Sequence, residues 1–194
     1  MNKFRIVTPK RQEIKIEVSK YHYHKENLRI DFGYKCGYCN DHEIWRNSFY
    51  EIDHFIPKAY LSDKEKTEYW NLVYSCRFCN NSKRAKWPTN DRSIHNNGSV
   101  GFIDPCSIEY DEQFERDDFG RIIPTKELGK WMFENLNLGL KRHAIIWQLV
   151  KLDETIDLVE NLFPNIKNQE IKDKITNLLF LYRRTIKDWQ LEND

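Results

Sequence analysis

The sequence predicts an α+β protein, with a small metal-stapled core followed by a mainly helical C-terminal extension. Three observations carry this. Two C-x-x-C pairs, Cys36 with Cys39 and Cys76 with Cys79, bracket a stretch of strand-like segments. Through the first hundred residues the apolar positions fall in short aromatic and β-branched runs, as strands require. From Ile145 onward they recur at spacings of three and four, the helical period.

Taken in order, residues 4–7 and 14–18 read as short strands, the second with period-two alternation. Residues 21–32 read as a helix stopped by Gly33. The first cysteine pair follows. Residues 49–52 read as a strand that delivers Asp53 and His54 at its end, and Pro57, lacking an N–H donor, discourages further pairing. Residues 62–69 are charged and read as a short exposed helix or loop. Residues 71–74 lead into the second pair, a helix is expected over 80–86, and residues 89–101 read as a loop. In the last third, Ile145, Leu149, Leu152, Ile156, Val159 and Phe163 form one apolar stripe. Pro164 and Asn165 break it, and Ile171, Ile175, Leu178, Tyr182, Ile186 and Trp189 repeat it. Two amphipathic helices on a short turn form an antiparallel pair. Their stripes serve core packing or the docking of another protein. The expected organisation is a core over residues 1–101 and a helical extension over 102–194.

With 194 residues, 40% apolar and 14% aromatic, the chain can bury an ordinary core. Its 31 basic and 30 acidic residues give a net charge of +1, without the basic excess of a protein that grips nucleic acid by global charge. The local distribution differs. Arg77, Lys83, Arg84, Lys86 and Arg92 gather near the second cysteine pair, whereas Asp111, Glu112, Glu115, Asp117 and Asp118 lie elsewhere. That asymmetry suits a basic working face on a neutral body, and a solvated charged helix is the plainer alternative. No apolar stretch follows Met1-Asn2-Lys3-Phe4-Arg5, so no signal peptide is expected. Nor does any run approach the roughly 18–20 apolar residues of a membrane span. The expected location is cytoplasmic, where thiols stay reduced.

One C-x-x-C pair alone could be a redox couple, but a thioredoxin-type arrangement leaves the second pair unexplained. Together, with Cys106 outside any such spacing, Cys36, Cys39, Cys76 and Cys79 match a tetrahedral structural zinc site. The 36 residues between Cys39 and Cys76 then become a loop with fixed ends. Asp53 and His54 sit inside it and Asn80 on its exit. Phosphodiester cleavage needs an activated water, neutralised phosphate charge and help for the leaving 3′ oxygen. A neutral histidine such as His54 can accept the water's proton, and a divalent cation supplies the rest. Magnesium takes few protein oxygens, so the Asp53 carboxylate and the Asn80 amide suffice to seat it.

These residues resemble the signature of HNH endonucleases of the ββα-metal fold, in the subclass with two zinc knuckles. The family pattern runs C-x-x-C, Asp-His with an apolar residue and Pro, then Asn-Leu before C-x-x-C-(His or Asn)-x-x-Lys. Here it is Cys36-x-x-Cys39, Ile52-Asp53-His54-Phe55-Ile56-Pro57-Lys58, Asn71-Leu72-Val73 and Cys76-x-x-Cys79-Asn80-Asn81-Ser82-Lys83. The resemblance implies a ββα-metal nuclease core, with His54 as general base and Asp53 and Asn80 as ligands of the catalytic ion. It implies that Asn71 braces the loop and that Lys83 lies near the phosphate; the local basic cluster adds Arg84 and Lys86 to the expected substrate-binding patch. Asn80 stands where many members have His; its hard amide oxygen favours Mg2+ or Mn2+. A Gly-Gly frequent after the Pro-Lys is replaced by Ala59-Tyr60. The implied activity is hydrolysis of nucleic acid, DNA first. Segments at 102–105, 120–124 and 136–142 resemble the tails of bacterial HNH proteins, some of them anti-phage effectors paired with an ATPase. The alternative is a non-catalytic zinc-knuckle module that binds nucleic acid or protein, which has no use for Asp53, His54, Asn71 and Asn80 together. His22, His24, His42, His95 and His143 are expected at the surface or in the core.

Overall fold

The computed structural model describes residues 2–14, 17–45, 49–160 and 162–191. The chain opens with β1 (Asn2–Lys3), and a 3-10 turn at Tyr21–His24 runs straight into α1 (Lys25–Asp31). Two strands, β2 (Tyr50–His54) and β3 (Leu72–Cys76), are followed without a break by α2 (Arg77–Lys83). The remainder comprises α3 (Ile108–Asp111), β4 (Phe114–Arg116), β5 (Ile122–Pro124), α4 (Glu127–Asn135), α5 (Lys141–Glu160) and α6 (Gln169–Leu191). The strands make two small sheets, β1-β4-β5 and β2-β3.

The β2-β3 hairpin positions the chemistry. Its antiparallel register sets Asp53 opposite Val73 and His54 opposite Leu72, two fully buried anchors. Apolar β3 therefore pins the polar end of β2. The helix expected over 80–86 begins three residues earlier, at Arg77, and ends at Lys83, where Arg84 takes φ +49°. The second cysteine pair explains the shift. Cys76 is the last extended residue, and a helical turn from there carries Cys79 to the same side, three positions on.

The strand expected over residues 4–7 forms instead at Asn2–Lys3 against β4. Phe4 leaves the sheet to bury its ring against Tyr110 and Phe114. Arg5 turns inward and donates to the Gly37 and Pro105 carbonyls at 3.0 and 2.5 Å, while Ile6 and Val7 stay exposed. Of the strand expected at 14–18, residues 15–16 lie outside the described residues, and 14, 17 and 18 belong to no strand. The helix over 21–32 forms as a 3-10 turn plus α1, and Gly33 at φ +58° ends it.

The extension is helical at its far end but contributes the β4-β5 hairpin and α4 to the core. One apolar cluster joins Leu28, Phe32, Tyr38, Leu72 and Tyr74 to Phe102, Tyr110, Phe114, Met132 and Leu136. The expected boundary at 101/102 thus falls inside a continuous core. Ile145, Ile146, Leu149 and Trp189 form a second cluster that holds α5 on α6. Farther along this pair the stripes reach the surface at Phe163 and Ile171, and Leu158 and Leu162, outside the stripes, are exposed as well. Among the described residues no helix is long and apolar enough to cross a membrane.

Buried polar groups fasten the extension to the first cysteine knuckle. Arg116 is 1% exposed; it donates to the Cys39 carbonyl at 2.8 Å and the Gly120 carbonyl at 2.5 Å. His143 pairs with Asp41 at 2.8 Å, and the Tyr110 hydroxyl donates to the Tyr38 carbonyl at 2.8 Å. Replacing Arg116 by Met keeps the stem and strips the donors, leaving buried carbonyls unpaired at about 1–3 kcal/mol each. Urea unfolding of Arg116→Met is expected to show a clearly lowered midpoint; an unchanged midpoint would mean that water replaces the guanidinium.

Candidate active site and metal centre

The first knuckle is a tight turn. Its Cys36 N–H donates to the Asp41 carbonyl at 2.9 Å, and the Gly37 N–H hooks onto the Tyr74 carbonyl of β3 at 2.8 Å. A Cβ at Gly37 would stand 2.7 Å from Phe32 and 2.8 Å from Val73, so the close approach of knuckle and strand requires glycine. The second knuckle is the β3-α2 junction. Together they bring the four buried sulfurs of Cys36, Cys39, Cys76 and Cys79 within 4.8 Å of one another. The Cys39 and Cys76 sulfurs are 3.8 Å apart, and thiolates about 2.3 Å from a tetrahedral ion have edges of about 3.8 Å. The cluster can therefore hold a zinc-sized ion. Burial pushes the Cys39 and Cys79 thiols up. Burial also opposes ionisation of Cys36, but hydrogen bonds from the other three sulfurs outweigh it and hold that thiol low. Only a cation would favour four thiolates together. Cys106 takes no part in the cluster, and burial raises its thiol to about 12.

Beside the hairpin lies a cleft of about 550 Å³ lined by Glu51, Asp53, His54, Lys58, Asn80 and Arg84 among others. Glu51 and Asp53, two apart on β2, share one face of the strand. Oδ2 of Asp53 accepts from the Tyr38 hydroxyl at 2.5 Å and from Lys83 Nζ at 2.9 Å. Burial first, and then the Asp53 charge, hold the Tyr38 phenol protonated as that donor. Both bonds fall on Oδ2, so Oδ1 is left for a ligand in the cleft. Asn80 spends its Nδ2 on Glu51 Oε2 at 2.7 Å, which leaves its own oxygen as an acceptor. Glu51 is steadied in turn by Arg77 at 2.9 Å. The donors at the cleft are thus carboxylate and amide oxygens, the set a hard divalent ion takes.

The His54 ring sets Nε2 2.8 Å from the Lys66 carbonyl. A carbonyl only accepts, so Nε2 carries the proton and a neutral ring presents a bare Nδ1. Burial holds His54 below the ordinary imidazole range, aided by Lys58 and Lys83 and opposed by the Lys66 bond and Asp53. Neutral imidazole is the form available near pH 7. The turn leaving His54 is clamped by Asn71, which is fully buried. Its Oδ1 accepts from the Ile56 N–H at 2.8 Å, its Nδ2 donates to the Ile56 carbonyl at 3.0 Å, and its own carbonyl accepts from the Phe55 N–H at 2.8 Å.

The structure thus gathers Asp53, His54 and Asn80 at one cleft, with Asn71 behind it. Lys83, expected among the surface cations, is fully buried and also donates to the His54 carbonyl at 2.8 Å. Arg84 lies on the cleft rim, and Lys86 is exposed, its Nζ 3.4 Å from the Asn135 carbonyl. Sequence reasoning missed Tyr38, Glu51 and the Lys66 carbonyl. Glu51 was readable from strand alternation, but a backbone carbonyl carries no residue signal. His24 and His143 are buried, in keeping with a core role. Asn71→Ala would strand two buried backbone groups of Ile56, at about 1–3 kcal/mol each. Thermal melting should fall accordingly, and Asn71→Asp, which sets a second acceptor against the Ile56 carbonyl, should melt lower than wild type as well; wild-type melting of both variants would show that Asn71 is not the clamp.

No curated protein and no solved structure matches the chain. Residues 36–86, which span both cysteine pairs, Asp53, His54, Asn71 and Asn80, match the family model for HNH endonuclease. That segment, about a quarter of the chain, is thus similar to an HNH endonuclease domain.

Proposed function

We propose that this protein is a metal-dependent endonuclease that hydrolyses phosphodiester bonds of nucleic acid, DNA first, with His54 as general base. The observation that carries the proposal is the His54 ring, with Nε2 committed to the Lys66 carbonyl and Nδ1 bare, among oxygen donors at an open cleft. A non-catalytic module would have no use for that arrangement. Zinc fits the four-cysteine cluster, and Asp53 and Asn80 would hold Mg2+ or Mn2+. When bound, that ion supplies charge neutralisation on the phosphate and stabilises the leaving 3′ oxygen.

The chain's own groups do the rest. Nδ1 of His54 takes the proton of the attacking water, and the Lys66 carbonyl keeps the ring oriented as it becomes imidazolium. Asn71 fixes the backbone from which His54 projects. Tyr38 and Lys83 hold the Asp53 carboxylate by one oxygen, so Lys83 acts from inside the fold. Arg84 on the cleft rim and the exposed Lys86, both just past the end of α2, are cations able to reach flanking phosphates. A reducing, cytoplasmic setting keeps the cysteines available to metal. The role taken from the resemblance of the tail is that of an anti-phage effector. The exposed apolar residues along α5 and α6, Leu158, Leu179 and Phe180 among them, are where a protein partner such as an ATPase would dock.

Nicking of supercoiled plasmid with Mg2+ tests the chemistry. His54→Ala is expected to lose about 10²–10⁴-fold in rate, the contribution of a positioned base, and to keep its melting temperature. Asp53→Ala and Asn80→Ala should in addition require more divalent ion. Wild-type nicking by His54→Ala would rule out His54 as the base.

A further inference from the structure

Tyr21, His22 and Lys25 lie outside the segment that matches the nuclease family, yet they line one wall of the cleft. The 3-10 turn sets the Tyr21 ring edge-on to His54, centroids 4.8 Å apart at 79°. The Tyr21 hydroxyl accepts from Lys58 Nζ at 3.1 Å, and that ammonium lies 4.2 Å from the centre of the Tyr21 ring. The turn itself is anchored. His24, 3% exposed, places Nε2 3.2 Å from the Thr67 carbonyl and packs edge-on against Tyr69. The consecutive carbonyls of Lys66 and Thr67 thus receive the imidazoles of His54 and His24, so one short segment locks both the base and the wall beside it.

We propose that Tyr21 is a positioning residue of the nuclease, fixing the His54 ring through its edge contact and holding Lys58 at the cleft mouth as a contact to a substrate phosphate. This rests on the nuclease function proposed above. A single hydrogen bond at Nε2 leaves the imidazole free to swing about that bond, and the flanking Tyr21 ring removes the freedom. Lys58 is exposed, and among the described residues its partner is a neutral phenol rather than a carboxylate. Its charge is therefore unspent, while the Tyr21 contacts limit where the flexible stem can carry it. Aromatic ring and cation together form a rim that meets a polyanion without closing the cleft.

The test compares wild type, His54→Ala, Tyr21→Phe, Tyr21→Ala and Lys58→Met. Cleavage of a DNA duplex with Mg2+ gives kcat and KM, and binding of the same duplex in Mg2+-free buffer, with the four-cysteine site left loaded, gives the salt dependence without turnover. Lys58→Met should raise KM, hold kcat and lower the log–log salt slope by about 0.9, the loss of one phosphate contact. Tyr21→Phe keeps the ring and loses the acceptor, so KM should rise while kcat holds. Tyr21→Ala should lower kcat by about 10–100-fold through misplacement of the base. If Tyr21→Ala folds poorly, Tyr21→Leu, which fills the space without an aromatic edge, takes its place. Unchanged kcat in the alanine or leucine variant, equal kcat losses in the alanine and phenylalanine variants, or an unchanged salt slope in Lys58→Met would overturn the proposal. An active His54→Ala would instead remove His54 as the base beneath it, and an inert wild type would remove the nuclease reading. An inert His54→Ala beside unaffected Tyr21 and Lys58 variants removes this assignment alone.

Discussion

Four buried sulfurs gather the two ends of a 36-residue loop, and everything at the cleft depends on that closure. Cys76 ends β3 and Cys79 lies on the first turn of α2, so the cluster fixes where strand becomes helix. Asn80 is the next residue, and its placement is inherited from the cysteines. Asp53 and His54 reach the same place through the β2-β3 register. Closing a loop of this length costs about 3 kcal/mol by the (3/2)RT ln n rule. A structural zinc ion held by the four cysteines would supply folding free energy on the order of 10 kcal/mol, which would outweigh closure by a wide margin. The small hairpin could not carry that cost alone, since isolated two-stranded pairs are marginal in water.

Around this clamp the side chains at the cleft are held in place by buried neighbours. Lys83 is a charge in the interior, tolerable because it meets the Asp53 carboxylate and the His54 carbonyl. Removing either partner of such a pair strands the other and is costly, so Asp53 serves the fold as well as the cleft. The backbone around His54 is pinned by Asn71, and its ring by the Lys66 carbonyl. The extension takes part as well. Arg116, Tyr110 and His143 bind the first knuckle from outside the nuclease segment, and Phe102 and Tyr110 complete its core. Residues 102–143 therefore act as the other half of the core, and the exposed stripe begins only farther along α5 and α6.

What was legible in the sequence was local. Cysteine spacing marked the knuckles, aromatic and β-branched residues marked β2, and a three-four period marked α5 and α6. Less legible was anything set by tertiary contact. Lys83 reads as one of several surface cations, because a charge run does not say which member turns inward. The two-residue β1 and three-residue β4 and β5 are too short to show a period. The start of α2 moved because the helical turn that brings Cys79 beside Cys76 begins at the end of β3. Tyr21 and Tyr38 are invisible as site residues in one dimension, since each reaches the site only through folding of a separate segment.

The most direct measurement removes all metal from the folded protein with a chelator and restores ions singly and together, following tertiary structure by near-ultraviolet circular dichroism and plasmid nicking in parallel. Zinc alone should restore the fold signal without nicking, and nicking should return only with zinc and magnesium together. Full nicking with magnesium alone, in protein shown to hold no zinc, would contradict the dependence of the active cleft on the four-cysteine clamp.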